Sequence, residues 1–209
     1  MPDSTEDWQQ ARLTDILAPG LDVVFVGLNP GRRSAAASHH FAGPGNHFWR
    51  LLFEAGFTPV RLAPVDDTRL LEWQIGLTNI VDRPSRGEAD LSQAELAAGG
   101  EALRRKLAPL APRVVALLGK QVYRHYAELP ASRRLDWGPQ APSRLPGALE
   151  FLAPNPSARS TIPYEARLAL FRELRAATRR RAAGASEHPL AHEQKDDAGR
   201  ECKGEEERA

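Results

Sequence analysis

The chain has 209 residues, 42% of them hydrophobic and 26% charged, the size of one globular domain with tails. Its 28 Lys+Arg against 27 Asp+Glu give a formal charge of +1, which carries no sign of a strongly basic, nucleic-acid-binding surface. One cysteine excludes an intrachain disulfide framework, a four-cysteine zinc site and an all-cysteine iron–sulfur cluster, and with no apolar run near ~18 residues and no basic-then-apolar start, a cytoplasmic protein is expected.

Residues 1–12 read as an N-terminal extension to a domain spanning 13–182. The first strand, Val23–Gly27, is an unbroken apolar run of the kind covered on both faces, and it leads straight into Gly27-Leu28-Asn29-Pro30-Gly31. A polar, glycine-rich connection follows, with Arg32, Arg33, Ser34, His39, His40, Phe41, Gly43 and Gly45. It matches neither the Gly-x-Gly-x-x-Gly nor the Gly-x-x-x-x-Gly-Lys-Ser/Thr phosphate motif. Its one aromatic can stack on a planar ring, and its glycines let backbone amides come close to a ligand. Ser34 reads as a pocket wall or phosphate contact, or else as a loop-capping serine; Asn46 reads as a site residue or as the start of the next helix. Adjacent histidines without further partners do not make a metal site, so His39 and His40 are expected to face solvent or DNA.

A helical pattern over 46–55 carries Phe48, Leu51, Leu52 and Phe53, and a second strand follows over 75–81. Asp82 reads as a partner for Arg83 or a turn former, and Asp90 as a helix-start charge or a carboxylate that assists catalysis. Ser92 and Glu95 stand at capping-box spacing and open a helix over 92–107 with Leu96, Leu103 and Leu107 on one face. After the third strand, Val114–Leu118, Lys120 follows Gly119 directly and opens a helix over 121–129, a position suited to a phosphate. The fourth strand, Leu149–Ala153, runs into a second Asn-Pro loop, Ala153-Pro154-Asn155-Pro156-Ser157. A last helix over 164–181 buries Leu168, Phe171 and Leu174 and ends in Arg172, Arg175, Arg179 and Arg180, which read as contacts to a phosphate backbone or, more simply, as a solvated helix terminus that complements the dipole. Residues 183–209 hold eight acids, four bases, one large aliphatic residue and the only cysteine, Cys202, and read as a disordered tail. Its net charge of −4 masks a body of +5 over residues 1–182, a charge that suits salt-sensitive DNA binding.

Strands alternating with helices predict a three-layer α/β/α domain with a mainly parallel sheet of four or five strands. Ligands of such sheets bind beyond the carboxyl ends of the strands, where both Asn-Pro loops face one cleft. Either dipeptide alone is an ordinary turn former; the pair in register points to a site.

Gly27-Leu28-Asn29-Pro30-Gly31, with the segment from Phe41 to Trp49 (Phe-Ala-Gly-Pro-Gly-Asn-His-Phe-Trp), resembles the mismatch-specific uracil-DNA glycosylases, bacterial relatives of the thymine-DNA glycosylases. The likeness continues in order and spacing through the segment from Leu77 to Pro84, Leu118-Gly119-Lys120-Gln121, Trp137-Gly138 and Asn155-Pro156-Ser157, over roughly residues 13–180. The resemblance implies hydrolysis of the bond between uracil N1 and deoxyribose C1′, with thymine and exocyclic cytosine adducts as further candidate bases, especially opposite guanine, leaving an abasic site, in a monomer acting on double-stranded DNA without metal or cofactor. Asn29 would aim the attacking water through its carbonyl, since a neutral amide cannot take the proton. Phe41 would stack on the flipped base, and backbone amides around Leu28 and Phe41 would bind the base edge. The loop of Asn155, Pro156, Ser157, Ala158, Arg159, Ser160 and Thr161 would enter the duplex, because a stacked base must be extruded before it can be cut. Relatives carry an aliphatic wedge and an arginine where this chain has Arg159 and Thr161, which implies weaker dependence on a guanine partner. Two rivals stand beside this reading: a damaged-DNA-binding module of the same fold, and a nucleotide- or nucleoside-processing α/β enzyme, which would have no use for a wedge loop.

Overall fold

A computed structural model of the chain describes Trp8 and residues 10–186. Five strands, β1 (Val23–Gly27), β2 (Ile75–Asn79), β3 (Val114–Leu118), β4 (Gly138–Gln140) and β5 (Leu149–Ala153), form one sheet in the order β2-β1-β3-β5-β4. The four long strands are parallel and β4 is an antiparallel edge. The α-helices are α1 (Arg32–Ala37), α2 (Phe48–Glu54), α3 (Gln93–Leu107), α4 (Lys120–Tyr126) and α5 (Tyr164–Ser186).

Because side chains alternate along a strand, β1 sends Val23 and Phe25 to one face and Val24 and Val26 to the other, and the four long strands are buried along nearly their whole length. One face is covered by α2, α5 and the 3₁₀ segment Pro64–Trp73, around Phe25, Phe48, Phe57 and Phe171. The other is covered by α3 and α4, around Leu96, Leu103, Val122 and Tyr126. This is the expected three-layer architecture. No helix among the described residues is long and apolar enough to cross a membrane.

Several expected boundaries move. The second strand ends at Asn79, not residue 81, because Ile80 and Val81 donate instead to the carbonyls of Gly27 and Leu28 in the loop beyond β1. The helix expected over 121–129 spans Lys120–Tyr126. Part of the first polar connection is helical, as α1. At the far end, α5 continues four residues past 182, so disorder expected from 183 is corrected for 183–186; alanines there extend a helix already nucleated. The rest of the acidic segment, with Cys202, and most of the N-terminal extension lie outside the described residues.

The Ser92–Glu95 capping box is present, with Ser92 Oγ accepting from Glu95 N at 3.1 Å and a Glu95 carboxylate oxygen accepting from Ser92 N at 3.0 Å. α3 then passes so close to the end of α4 that a Cβ on Gly100 would overlap the His125 carbonyl and lie 3.1 Å from Tyr126 N. Gly100→Ala is therefore expected to destabilise by about 1–3 kcal/mol, the cost of overpacking against backbone, although alanine in a helix interior normally stabilises by ~1 kcal/mol over glycine. A urea midpoint at or above wild type would contradict the close approach.

Candidate active site

The chain turns from β1 toward β2 on one side and from β3 toward β5 on the other, so the carboxyl ends of β1 and β3 flank the point where the strand order reverses. That is where open α/β sheets bind ligands. A cavity of about 830 Å³ lies there, lined by residues 27–34 after β1, Asn79 at the end of β2, Leu118 at the end of β3, and Asn155, Pro156, Ser157, Arg159 and Ser160 after β5. Both Asn-Pro loops thus open into one cleft. Leu28, Ser34, Phe41 and Asn46 line it as well.

Asn29 is held by its amide hydrogens. Nδ2 donates to the Arg83 carbonyl at 3.2 Å, to the Pro30 carbonyl at 3.2 Å and to Ser85 Oγ at 2.9 Å, while Ser85 Oγ donates onward to the Gly87 carbonyl at 2.8 Å. Carbonyl oxygens accept only, so the nitrogen must face them and Oδ1 is left without a partner among the described residues. The frame is rigid: Ser85 N donates to the Pro30 carbonyl at 3.1 Å, extending the β1–β2 pairing past the strand ends. Arg83 pairs with Glu95 at 2.5 Å, not with Asp82, and its guanidinium holds the Glu95 carboxyl down at about 2. Asp82 lies 3.6 Å from Lys106 instead.

Phe41 has φ +53° and stacks on Phe48 with ring centroids 3.9 Å apart, which fixes its ring at the cavity wall. The amides on either side are anchored, His40 N to Asp67 Oδ2 at 3.0 Å and Ala42 N to Ser34 Oγ at 3.0 Å, while the Phe41 N–H makes no hydrogen bond to a described residue. Ser34 therefore braces the loop from the cavity wall. Asn46 combines its two expected roles, lining the cavity while its Oδ1 accepts from Phe48 N at 2.9 Å at the start of α2.

His40 corrects an expectation. It is 1% exposed, its Nε2 lies 3.0 Å from the Thr14 carbonyl, and it is buried in the cavity wall instead of facing solvent; His39 lies 3.3 Å from Asp67. Burial pushes the His40 pKa below its ordinary value. The unfolded chain then binds more protons once pH falls below about 6.5, the ordinary imidazole value, so stability is expected to fall from there down to the folded-state pKa. His40→Gln, which keeps a donor for Thr14, is expected to flatten the drop in urea midpoint between neutral and mildly acidic pH. An unchanged slope would contradict this assignment.

The second loop shapes itself by local turns: Asn155 Oδ1 accepts from Ser157 N at 2.8 Å, Ser157 Oγ from Arg159 N at 3.1 Å, and Ser160 Oγ from Ile162 N at 3.3 Å. Arg159 is exposed at the cavity mouth, where Arg32, Arg33, Arg86 and Glu88 also stand. Ala158 and Thr161 are exposed but do not line the cavity. Lys120 does not line it either; its Nζ sits 5.0 Å from the centre of the Trp137 ring. Asp90 is not brought to the cavity: its carboxylate accepts from Arg86 N at 2.9 Å and closes the 86–90 turn. Glu88, two residues earlier, is the carboxylate that reaches the cavity wall.

Asn79 and Trp8 are among the cavity residues to which the sequence assigns no site role. Asn79 is 7% exposed, lines the cavity, and its side-chain amide makes no hydrogen bond to a described residue. In the sequence it is one polar letter inside a strand. Trp8, 7% exposed, comes from the N-terminal extension to wall the cavity beneath the Arg32 guanidinium, 5.1 Å from its ring centre. Nothing local in the sequence ties residue 8 to residue 32.

The fold and cleft define an α/β protein built to bind a ligand at a sheet switch point. Residues 14–179 match the uracil DNA glycosylase superfamily, and the chain belongs to it. Its fold is similar to that of a candidate uracil DNA glycosylase from Methanosarcina acetivorans, solved by NMR in solution, at 19% identity and a TM-score of 0.50 over 79% of this chain and 98% of that one.

Proposed function

We propose that the chain is a monofunctional DNA glycosylase of the mismatch-specific branch, which extrudes uracil from duplex DNA, chiefly opposite guanine, and hydrolyses its N-glycosidic bond to leave an abasic site. The observation that carries this reading is the Asn29 amide, whose hydrogens are all turned into the protein so that only a bare carbonyl oxygen is offered to the cleft.

Departure of the base places positive charge on the sugar and negative charge on uracil, so a site must hold water beside C1′ and donate hydrogen bonds to the leaving base. Asn29 Oδ1 accepts a hydrogen bond from the water and aims its lone pair at C1′; as a neutral amide it does not remove the proton. Phe41, backed by Phe48, offers a fixed stacking surface for the pyrimidine ring. The free Phe41 N–H and the Asn79 amide supply the polar contacts: a donor for a uracil carbonyl, and a donor–acceptor pair matching a carbonyl beside N3–H. Arg159 enters the duplex, and the basic mouth formed with Arg32, Arg33 and Arg86 meets the phosphates. Asp90 takes no part in this scheme, and Asp90→Asn is expected to leave the excision rate unchanged.

The test is incubation with duplexes containing G·U, A·U or G·T and with single-stranded uracil, followed by alkaline cleavage of abasic sites. Cleavage of G·U is expected. Tight binding without cleavage of any substrate would replace the enzyme by a damaged-DNA-binding module.

A further inference from the structure

The turns within the loop of residues 155–162 set its shape, not its place relative to the base pocket. Its place depends on a buried arginine in the first turn of α5. Arg167 is 4% exposed; Nη1 donates to the Ser157 carbonyl at 3.2 Å, and Nη2 lies 2.9 Å from His47 Nδ1. His47 N in turn donates to the Pro156 carbonyl at 2.9 Å, and the backbone of Gly45 comes so close that a Cβ there would sit 3.2 Å from that of Ala158. His47 directly precedes α2, and with it Phe48, the ring that backs Phe41.

Among the described residues Arg167 makes no ion pair with a carboxylate, and its buried Nε has no hydrogen-bond partner. An arrangement of this kind is costly in free energy compared with an apolar residue of the same volume, so its benefit lies in geometry. Desolvation lowers the Arg167 pKa and lowers that of His47, which is also disfavoured as a cation by Arg167 and Arg50. Neutral His47 therefore keeps a lone pair on Nδ1 for the guanidinium. The planar fork meets two acceptors from segments more than a hundred residues apart, which a lysine ammonium at the end of a flexible stem would not hold in fixed relation.

Resting on the glycosylase reading above, we propose that Arg167 is a positioning residue: it latches the duplex-entering loop to the base-stacking wall and so governs extrusion of the base, not cleavage of the bond.

The experiment uses the full chain with Arg167→Met, which keeps the aliphatic stem, Arg167→Lys, His47→Ala and the Arg167→Met/His47→Ala pair. A duplex with 2-aminopurine beside the uracil reports extrusion by fluorescence, and single-turnover excision is followed on the same duplex and on single-stranded uracil. Arg167→Met is expected to reduce the extrusion signal and to slow duplex excision by about 10- to 100-fold, the scale of an ångström-level misplacement, while single-stranded excision stays near wild type. Arg167→Lys, able to reach one of the two acceptors, falls between. The double variant loses no more than Arg167→Met, because both changes break one latch. An unchanged extrusion signal, equal losses on both substrates, or additive losses in the double variant would overturn the proposal. Should Arg167→Met fail to fold, Arg167→Lys carries the same comparison. If wild type excises nothing, it is the glycosylase reading that fails, and the fluorescence comparison still decides whether Arg167 places the loop.

Discussion

Asn29→Ala is expected to reduce single-turnover excision from a G·U duplex by about 10²–10³-fold, the scale on which loss of one preorganised polar group at a reacting centre is felt. The reason is specific to how the side chain is held. Its nitrogen is committed to Arg83, Pro30 and Ser85, so the oxygen cannot rotate away, and the water it orients loses little further entropy on reaching the reactive position. Alanine removes that acceptor and leaves the carbonyls of Arg83 and Pro30 without this donor. A modest loss of stability should accompany the loss of rate, so the measurement pairs the excision rate with a urea midpoint. Binding to a duplex carrying an abasic site should survive, since the loop beyond β5 and the basic mouth are untouched. Excision undiminished in Asn29→Ala would remove Asn29 from the mechanism.

Gly27→Ala is expected to lower excision by about 10²-fold while barely moving stability. A Cβ on Gly27 would stand 2.5 Å from Asn79 Oδ1 and 3.7 Å from Phe41 Cζ. The nearest obstacle is the far end of a side chain that makes no hydrogen bond to a described residue, so the protein relieves the overlap by swinging the Asn79 amide aside. That movement displaces the group proposed to read the base edge and pushes toward the stacking ring. Since β1 is otherwise undisturbed, the urea midpoint should stay close to wild type. The informative result is the split between rate and stability: a fall in both would mean that the strand end itself gave way, and a fall in neither would mean that Asn79 does not contact the base.

These contrasts follow from which interactions are local. The parallel strands were legible because burial on both faces demands an unbroken apolar run, and runs such as Val23–Gly27 and Val114–Leu118 tolerate little else. Ser92 and Glu95 announced the start of α3 because a capping box is complete within four residues. The edge strand β4, three residues long with a proline at its centre, lacks such a pattern, and α1 owes little to periodicity in its sequence Arg-Arg-Ser-Ala-Ala-Ala. Asp90 and Glu88 illustrate the same limit at the site: two nearby carboxylates are equivalent on paper, but the 86–90 turn consumes one and leaves the other on the cavity wall.

By itself the sequence determined the layered α/β architecture, the two Asn-Pro loops at matching strand ends and a body more basic than the whole chain's charge of +1 suggests. Each of these is written in adjacent residues or in a repeat set by backbone geometry. Only the tertiary structure decided that His40 is buried under Thr14, that Asn79 and Trp8 belong to the cavity, and that Arg167 ties the second loop to His47. Those relations join residues far apart in the chain, and a hydrogen-bond partner or a cavity wall comes into being only when the packing of both layers on the sheet brings the two segments together.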